Sequence, residues 1–256
     1  MRLKVYRYDP ETKQSRYDSF KLKLRPGMTV LAALFSVQDR FDDSLSFRYS
    51  CRGAVCGSCA MLINKVPRLA CRTQLKAMLD RDSMELKPFA GSDEGETWEQ
   101  GEEVLVEPLP SLPVLKDLVV DMSRFFECYK KVEPVLKPGK EPPEREYAMQ
   151  PEAVRELEPY TNCILCASCF AACPVSGRNQ AFLGPAALAK LYRFAIDPRE
   201  SGDGSRQLQA DTAQGWWACE FHTNCRAVCP RGVPPNVAIG RARAELQKSG
   251  HKAPEV

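Results

Sequence analysis

Eleven of the twelve cysteines in this 256-residue chain fall into three tight groups, and Cys128 stands apart. The N-terminus has no apolar export segment, so we expect reduced thiols rather than the disulfide framework of a secreted protein. Thiolates at short spacing bind iron–sulfur clusters or structural zinc. The cysteine pattern therefore predicts metal or redox chemistry. We expect Cys128 to be a small buried side chain. His251 lies in a polar tail, and no sequence pattern assigns it a role.

The first group has the plant-type spacing of a [2Fe–2S] cluster, C-x4-C-x2-C with a fourth cysteine twelve residues later, in Cys51, Cys56, Cys59 and Cys71. Gly53 and Gly57 allow backbone N–H groups to turn toward the sulfurs, and Arg52 adds a positive charge beside an anionic cluster. A four-cysteine zinc site is the alternative. Zinc prefers two C-x2-C knuckles, so this spacing favours the iron–sulfur interpretation.

The second group is the bacterial ferredoxin run C-x2-C-x2-C-x3-C-P, formed by Cys163, Cys166, Cys169 and Cys173. In such a run the first three cysteines bind one cluster, and the cysteine before proline binds another. The run therefore needs a second set of cysteines elsewhere in the chain.

The third group provides that set in the same register, with Cys219, Cys225 and Cys229 in place and His222 where the second cysteine would stand. The crossover rule assigns Cys229 to a [4Fe–4S] cluster with Cys163, Cys166 and Cys169. Only three thiolates remain for the other cluster, Cys173, Cys219 and Cys225, and this number predicts [3Fe–4S]. His222 as a ligand to a fourth iron is the alternative; the simpler interpretation places it beside the cluster.

Residues 1–110 are predicted to form a small α+β unit around the first group. Apolar alternation predicts strands at residues 3–5 and 20–24, a helix at 28–37, a hairpin of 60–63 with 67–70, and a last strand at 104–106. The acidic, polar stretch 90–103 predicts a solvated loop or insertion. The proline-rich segment 107–113 predicts a domain boundary.

Residues 111–256 are predicted to form an all-α domain, because strand patterns end at the boundary. Helical spacing is found at 118–136, 185–196 and 236–247, and a proline-rich connector spans 137–144. The formal net charge of +3 does not require a nucleic-acid partner. No run of eighteen apolar residues predicts a membrane-spanning helix.

Several segments together resemble the iron–sulfur subunits of succinate dehydrogenase and quinol:fumarate reductase over nearly the whole chain: CRGAVCGSCAMLINKVPRLACRT, PLPSLPVLKDLVVDM, NCILCASCFAACP, FLGPAALAKLYRF and CEFHTNCRAVCPRGVPP. The resemblance implies an N-terminal β-grasp, plant-type ferredoxin-like domain and a C-terminal α-helical ferredoxin-like domain. Carried over position by position, it implies the same three ligand sets as the spacing.

The resemblance also implies partners. The three clusters would relay electrons between FAD in a flavoprotein subunit and quinone at a membrane-anchor subunit that often holds haem b. The chain itself would be peripheral, on the cytoplasmic face of the inner (plasma) membrane. Dicarboxylate chemistry belongs to the flavoprotein, so no catalytic acid, base or nucleophile is expected here.

The sequence departs from the family in three places. Residues near 76–100 form a longer link than is usual, which is interpreted as a surface insertion, with a partner-facing loop as the alternative. The other two departures are single positions near the third group. Residue 222 is usually apolar in relatives. Ubiquinone-linked members often carry tryptophan where this chain has Arg178, which favours menaquinone. Some residues flanking the third cluster are expected to line a quinone pocket or the anchor interface, with core packing as the alternative for the two tryptophans: Arg178, Trp216, Trp217, His222 and Arg231.

Three other functions compete with this one. The chain could be the electron-transfer subunit of a thiol:fumarate or heterodisulfide-type reductase, although the cysteine-rich repeats usual there are absent. It could also be a structural or sensing metal-binding module, or a free ferredoxin. Length argues against the free ferredoxin, and acid-labile sulfide would distinguish a cluster from zinc. The pattern does not set the direction of electron flow.

Overall fold

A computed structural model describes residues 1–80, 95–139, 143–200 and 204–254. The chain forms two compact units. The first consists of Met1–Met122 with Ile164–Ala172, and the second of Ser123–Cys163 with Cys173–Val256. The central part of the predicted acidic insertion near 76–100 lies outside the described residues.

The first unit is built on a five-stranded sheet in the order β2-β1-β5-β3-β4. Its strands are β1 (Arg2–Tyr8), β2 (Ser15–Lys21), β3 (Ala60–Ile63), β4 (Val66–Leu69) and β5 (Glu103–Glu107). β1 runs parallel to β5, and the other pairings are antiparallel. The strands predicted at 3–5, 60–63 and 104–106 are confirmed. The strand predicted at 20–24 is wrong in its bounds, because β2 pairs with β1 from Ser15 and ends at Lys21.

Helix α1 (Val30–Arg40) packs on this sheet and closes the core. It begins where the hydroxyl of Thr29 accepts a hydrogen bond from the N–H of Ala32 at 3.2 Å, an N-cap that satisfies one free amide. Leu34 and Val37 are fully buried in the same apolar cluster as Leu3. A short helix, α2 (Leu75–Leu79), follows the fourth cysteine of the first group.

The hairpin turn between β3 and β4 has both central residues, Asn64 and Lys65, in the left-handed region, with φ 46° and 63°. Two such residues match the twist of a tight hairpin. The Asn64 side chain accepts a hydrogen bond from the N–H of Leu105 at 2.9 Å and donates one to the carbonyl of Met78 at 3.2 Å. The turn is therefore fixed to its neighbours, and it supports the strands that flank the first cysteine group.

The predicted boundary between residues 110 and 111 is too early. A small hairpin, β6 (Val114–Lys116) and β7 (Val119–Val120), follows the prolines and belongs to the first unit. Its buried Asp117 accepts hydrogen bonds from the Arg7 guanidinium at 3.0 Å and from the N–H of Ser46 at 2.8 Å. This ion pair connects the hairpin to β1. The two strands of the hairpin also correct the expectation that no strands follow residue 110.

The second unit is predominantly helical. Its helices are α3 (Ser123–Lys131), α4 (Pro151–Thr161), α6 (Pro174–Arg178), α7 (Pro185–Ala195), α8 (Ser205–Leu208), α9 (Asn224–Ala227) and α10 (Pro235–Lys248), with a 3₁₀ turn at Trp216–Ala218. Another short helix, α5 (Ser168–Ala171), belongs to the first unit. The helices predicted at 185–196 and 236–247 are confirmed. The one predicted at 118–136 covers only α3, since residues 118–122 belong to the β6–β7 region.

The core of the second unit is formed largely by α7 and α10. Leu188 and Leu191 of α7 are fully buried, as is Ala242 of α10. Along the parts of the chain that the model describes, no helix combines the length and the apolar character needed to cross a bilayer.

Candidate iron–sulfur centres

In the first cysteine group, backbone amides turn toward a sulfur. The Sγ of Cys51 lies 3.3–3.4 Å from the backbone nitrogens of Gly53, Val55 and Cys56. Arg52 and Ala54 make this possible by adopting left-handed φ values of 56° and 57°. Successive amides that point into one concavity form an anion-binding nest, of the kind found around iron–sulfur clusters.

The thiols of the first group differ in environment. Hydrogen bonding, foremost from the Ser58 side chain, lowers the pKa of Cys56 to about 6. Burial raises the pKa of Cys59 to about 12, and this side chain is 3% exposed. The exposed Cys51 lies beside Arg52, whose guanidinium stacks over the ring of Tyr49 at 5.6 Å. The loop thus has one end open to solvent and one end buried.

Gly57 brings this loop against the second cysteine group within the first unit. Its φ is +74°, and a Cβ placed on it would lie 2.8 Å from both the Cβ of Cys166 and the carbonyl oxygen of Ile164. No other residue type fits that space without displacing backbone. Both Ile164 and Cys166 pack against the core of the first unit. Two thiol-bearing loops are therefore in direct contact.

The second and third groups share one backbone pattern. Leu165 and Phe221 have φ of 54° and 55°, and Ala167 and Thr223 have φ of 59° and 63°. Each pair occupies the same place in its motif, and each loop continues into a one-turn helix, α5 or α9. The match supports the alignment of the two motifs, in which His222 stands at the place of the second cysteine.

Three of the predicted ligands line one pocket in the second unit. The pocket has a volume of about 340 Å³ counted to its open mouth, and its walls include Cys173, Cys219 and Cys225. Burial raises the pKa of Cys225 to about 12 and also raises that of Cys219. Buried thiols with raised pKa values stay protonated unless a metal ion replaces the proton.

A backbone donor in the same pocket suits an anionic cluster. The backbone N–H of Phe221 lies 3.4 Å from the Sγ of Cys219. A donor at this place suits the sulfur of an anionic cluster, because N–H groups that point at ligand sulfurs stabilise their negative charge.

His222 lies in the wall of this pocket but is directed toward a carboxylate. Its Nε2 is 3.1 Å from an oxygen of Glu220, which also forms an ion pair with Arg178. All three side chains are about half exposed. The contact supports the interpretation of His222 as a neighbour of the third cluster rather than a ligand.

The remaining predicted quinone-side residues lie in different environments. Trp216 is completely buried and donates its indole N–H to the carbonyl of Gln207 at 2.7 Å, which fits core packing. Trp217 donates to Asp211 at 2.6 Å, and Arg231 is exposed. Sequence analysis missed Asp211 and Arg243, because only the fold brings them to the third group. Cys128 is buried, as expected, with its Sγ 3.7 Å from the carbonyl of Phe182.

Within the four described ranges, no three His, Cys, Asp or Glu side chains converge closely enough to hold a single metal ion. The assignment of Cys163, Cys166, Cys169 and Cys229 to one cluster stays a prediction.

Comparisons with known proteins agree with the order of the motifs. Residues 2–127 match the family model of a 2Fe-2S iron–sulfur cluster binding domain, and residues 159–233 match that of a 4Fe-4S dicluster domain. In solved structures, the chain is similar to one in the Mycobacterium smegmatis Sdh1 complex in the apo form, with a TM-score of 0.82 and 26% identity. The match covers 100% of this chain and 98% of that one.

Curated relatives extend over almost the same length. The fumarate reductase iron–sulfur subunit of Haemophilus influenzae is 33% identical over 97% of this chain and 93% of its own length. That of Mycobacterium tuberculosis is 36% identical over 93% and 90%. These identities confirm the resemblance stated from the cysteine motifs. The chain belongs to the family of fumarate reductase iron–sulfur subunits.

Proposed function

We propose that the chain relays electrons between FAD in a flavoprotein subunit and quinone at a membrane-anchor subunit of a fumarate reductase or succinate dehydrogenase complex. When bound, the clusters supply carriers that accept and donate one electron at a time. The observation that carries the proposal is the contact between Gly57 and Cys166, because it joins the first thiol loop to the second. The names of the relatives and of the Sdh1 complex support the same function.

The proposed ligand sets follow the motif spacing. The first cluster is [2Fe–2S], held by Cys51, Cys56, Cys59 and Cys71; the second is [4Fe–4S], held by Cys163, Cys166, Cys169 and Cys229; the third is [3Fe–4S], held by Cys173, Cys219 and Cys225. The common pocket of the last three thiols supports the third set. Amides around Cys51 and Cys219 would donate to cluster-bound sulfur and favour the reduced, more negative state.

The two ends of the proposed relay differ in surroundings. The first loop exposes Cys51 and Val55, the latter 64% exposed, and we assign this edge to the flavoprotein. Glu220 and His222 line the pocket of Cys173, Cys219 and Cys225, and Arg178 forms an ion pair with Glu220; we assign this polar set to the quinone side. The arginine in place of tryptophan favours menaquinone. We further propose that the chain is held at the membrane by its anchor subunit and that dicarboxylate chemistry takes place on the flavoprotein.

Electron paramagnetic resonance during a redox titration of the purified complex tests this function. We expect three iron–sulfur signals, one of them a three-iron centre in the oxidised state. Colourless material without acid-labile sulfide would overturn the proposal.

Cysteine substitutions test the crossover of ligands. Cys173→Ser should alter the third signal and spare the second, although Cys173 lies in the second motif. Cys229→Ser should do the reverse. Cys128→Ser is the matched control, since this buried cysteine lies outside every ligand set, and it should leave all three signals unchanged.

A further inference from the structure

Backbone hydrogen bonds at the end of α10 fix the position of His251. Gly250 adopts φ +87°, its N–H donates to the carbonyl of Gln247 at 3.0 Å, and the N–H of His251 donates to the carbonyl of Leu246 at 3.0 Å. These two hydrogen bonds form a Schellman motif, which folds the chain back over the last turn of a helix. His251 is therefore held by the helix end, although no sequence pattern singled it out.

Asp211 connects His251 to Trp217. One carboxylate oxygen lies 2.6 Å from Nδ1 of His251, and the other accepts the indole N–H of Trp217 at 2.6 Å. The Asp211 side chain is 14% exposed. Both oxygens are thus engaged, and the edge of the Trp217 ring is fixed by a charge-assisted hydrogen bond.

Arg243 of α10 connects Trp217 to the third thiol group. Its guanidinium lies 5.4 Å from the centre of the Trp217 ring and 4.8 Å from that of Phe221. It also donates hydrogen bonds of 2.7 Å to the backbone carbonyls of Trp216 and Cys219. Cation–π contacts and charge-assisted hydrogen bonds to a half-buried arginine stabilise one arrangement of this loop.

We propose that Asp211 and His251 are positioning residues which act through Trp217 and Arg243 to hold the backbone of Cys219, and so set the reduction potential of the third cluster. The inference rests on the proposed function, because the cluster concerned is the third of that proposal. Hydrogen bonds to ligand sulfurs and solvent exposure set cluster potentials. A shift of the Cys219 loop changes both, since Phe221 N–H donates to the Cys219 sulfur.

The potential of the third cluster is the readout, measured by electron paramagnetic resonance in the purified complex. Asp211→Ala removes the contacts to Trp217 and to His251. At a fixed applied potential, the ratio of oxidised to reduced third cluster should change about threefold or more. A tenfold change in this ratio corresponds to about 59 mV for a one-electron couple. Asp211→Asn keeps an oxygen for the Trp217 N–H and should stay close to wild type. His251→Ala should give a smaller shift than Asp211→Ala. The control is Lys252→Ala, an exposed neighbour, and the first cluster is the internal reference.

Two results would overturn the inference. Equal shifts in Asp211→Asn and Asp211→Ala would show that the carboxylate acts by charge and not by position. No shift in either variant would show that Cys219 is held without them.

If the complex that carries Asp211→Ala does not assemble, Gly250→Ala tests the inference instead. A Cβ at Gly250 meets nothing within 4 Å, so the variant strains only the Schellman turn. It should reproduce the shift of His251→Ala, and wild-type potentials in both would overturn the inference. Absence of a third signal in the wild-type complex would instead count against the proposed function.

Discussion

Gly57→Ala should destabilise the first unit well beyond the usual effect of a single added methyl group. The left-handed φ of +74° costs a non-glycine residue about 1–2 kcal/mol. The new Cβ would also lie 2.8 Å from the Cβ of Cys166 and the carbonyl of Ile164, and relieving such overpacking costs about 1–3 kcal/mol. Because one neighbour is backbone and the other is close to a backbone, neither can rotate away. The sum is roughly 2–5 kcal/mol, a large part of the stability of a typical domain.

Two other glycines provide matched controls. Gly27 has a φ of +70° and nothing within 4 Å of a built Cβ, so Gly27→Ala contains the backbone strain without the clash. Gly53 lies in the same loop as Gly57, and its Cβ would meet only the carbonyl of Cys51 at 3.7 Å. Gly53→Ala should therefore be mild.

The assay is the temperature at which visible cluster absorption is lost, at one fixed heating rate, because unfolding of such proteins is seldom reversible. At about 3 °C per kcal/mol, Gly57→Ala should lower this temperature by roughly 6–15 °C and Gly27→Ala by roughly 3–6 °C. Equal losses in the two variants would refute the contact between the thiol loops, and with it the observation on which the proposed relay depends.

Three further predictions concern other parts of the chain. Glu107→Ala leaves the buried Lys65 ammonium without the carboxylate that lies 2.9 Å away, so the unfolding temperature should fall as expected for a loss of about 3–5 kcal/mol, and the double variant with Lys65→Met should recover much of it. Hydrogen bonds from Ser44, followed by those from Arg7, lower the pKa of Asp42 to about 2 from an unfolded value of 3.8; its stabilisation is therefore complete above about pH 4 and lost as the pH falls toward 2. Circular dichroism melts should accordingly show Asp42→Asn less stable than wild type at pH 5, with a smaller gap at pH 3 that closes toward pH 2, and a constant gap would contradict this. His222→Cys supplies a thiol where the ferredoxin spacing requires one, so the three-iron signal should be replaced by that of a four-iron cluster; an unchanged signal would contradict the alignment of the two motifs.

The sequence predicts best those features that depend on local spacing. The hairpin at 60–69 follows from apolar residues on either side of Asn64 and Lys65, and both residues adopt the conformation that a tight turn requires. The helices at 185–196 and 236–247 follow from periodicity and from prolines at their first turns. Cysteine spacing alone is enough to predict three iron–sulfur centres, since the motif is set by how a short loop wraps a cluster.

Features that depend on long-range contacts were not predictable. The β6–β7 hairpin belongs to the first unit because Asp117 pairs with Arg7, more than a hundred residues earlier, and no pattern near Asp117 indicates this. Helix α4 was not predicted, because its apolar period is weak and is interrupted by Pro159. The chain of contacts from His251 to Cys219 joins residues that are 32 positions apart in the sequence, and only the glycine at the end of α10 gives a local signal.

The assignment of Ile164–Ala172 to the first unit has a consequence for synthesis on the ribosome. The sheet and α1 are translated by residue 122, but the segment that packs beside Gly57 emerges only after a further stretch of the second unit. At about 5–20 residues per second, this delay of about 50 residues lasts on the order of 3–10 seconds. During that interval the first thiol loop lacks the segment that packs against Gly57, so this side of the first unit is completed last.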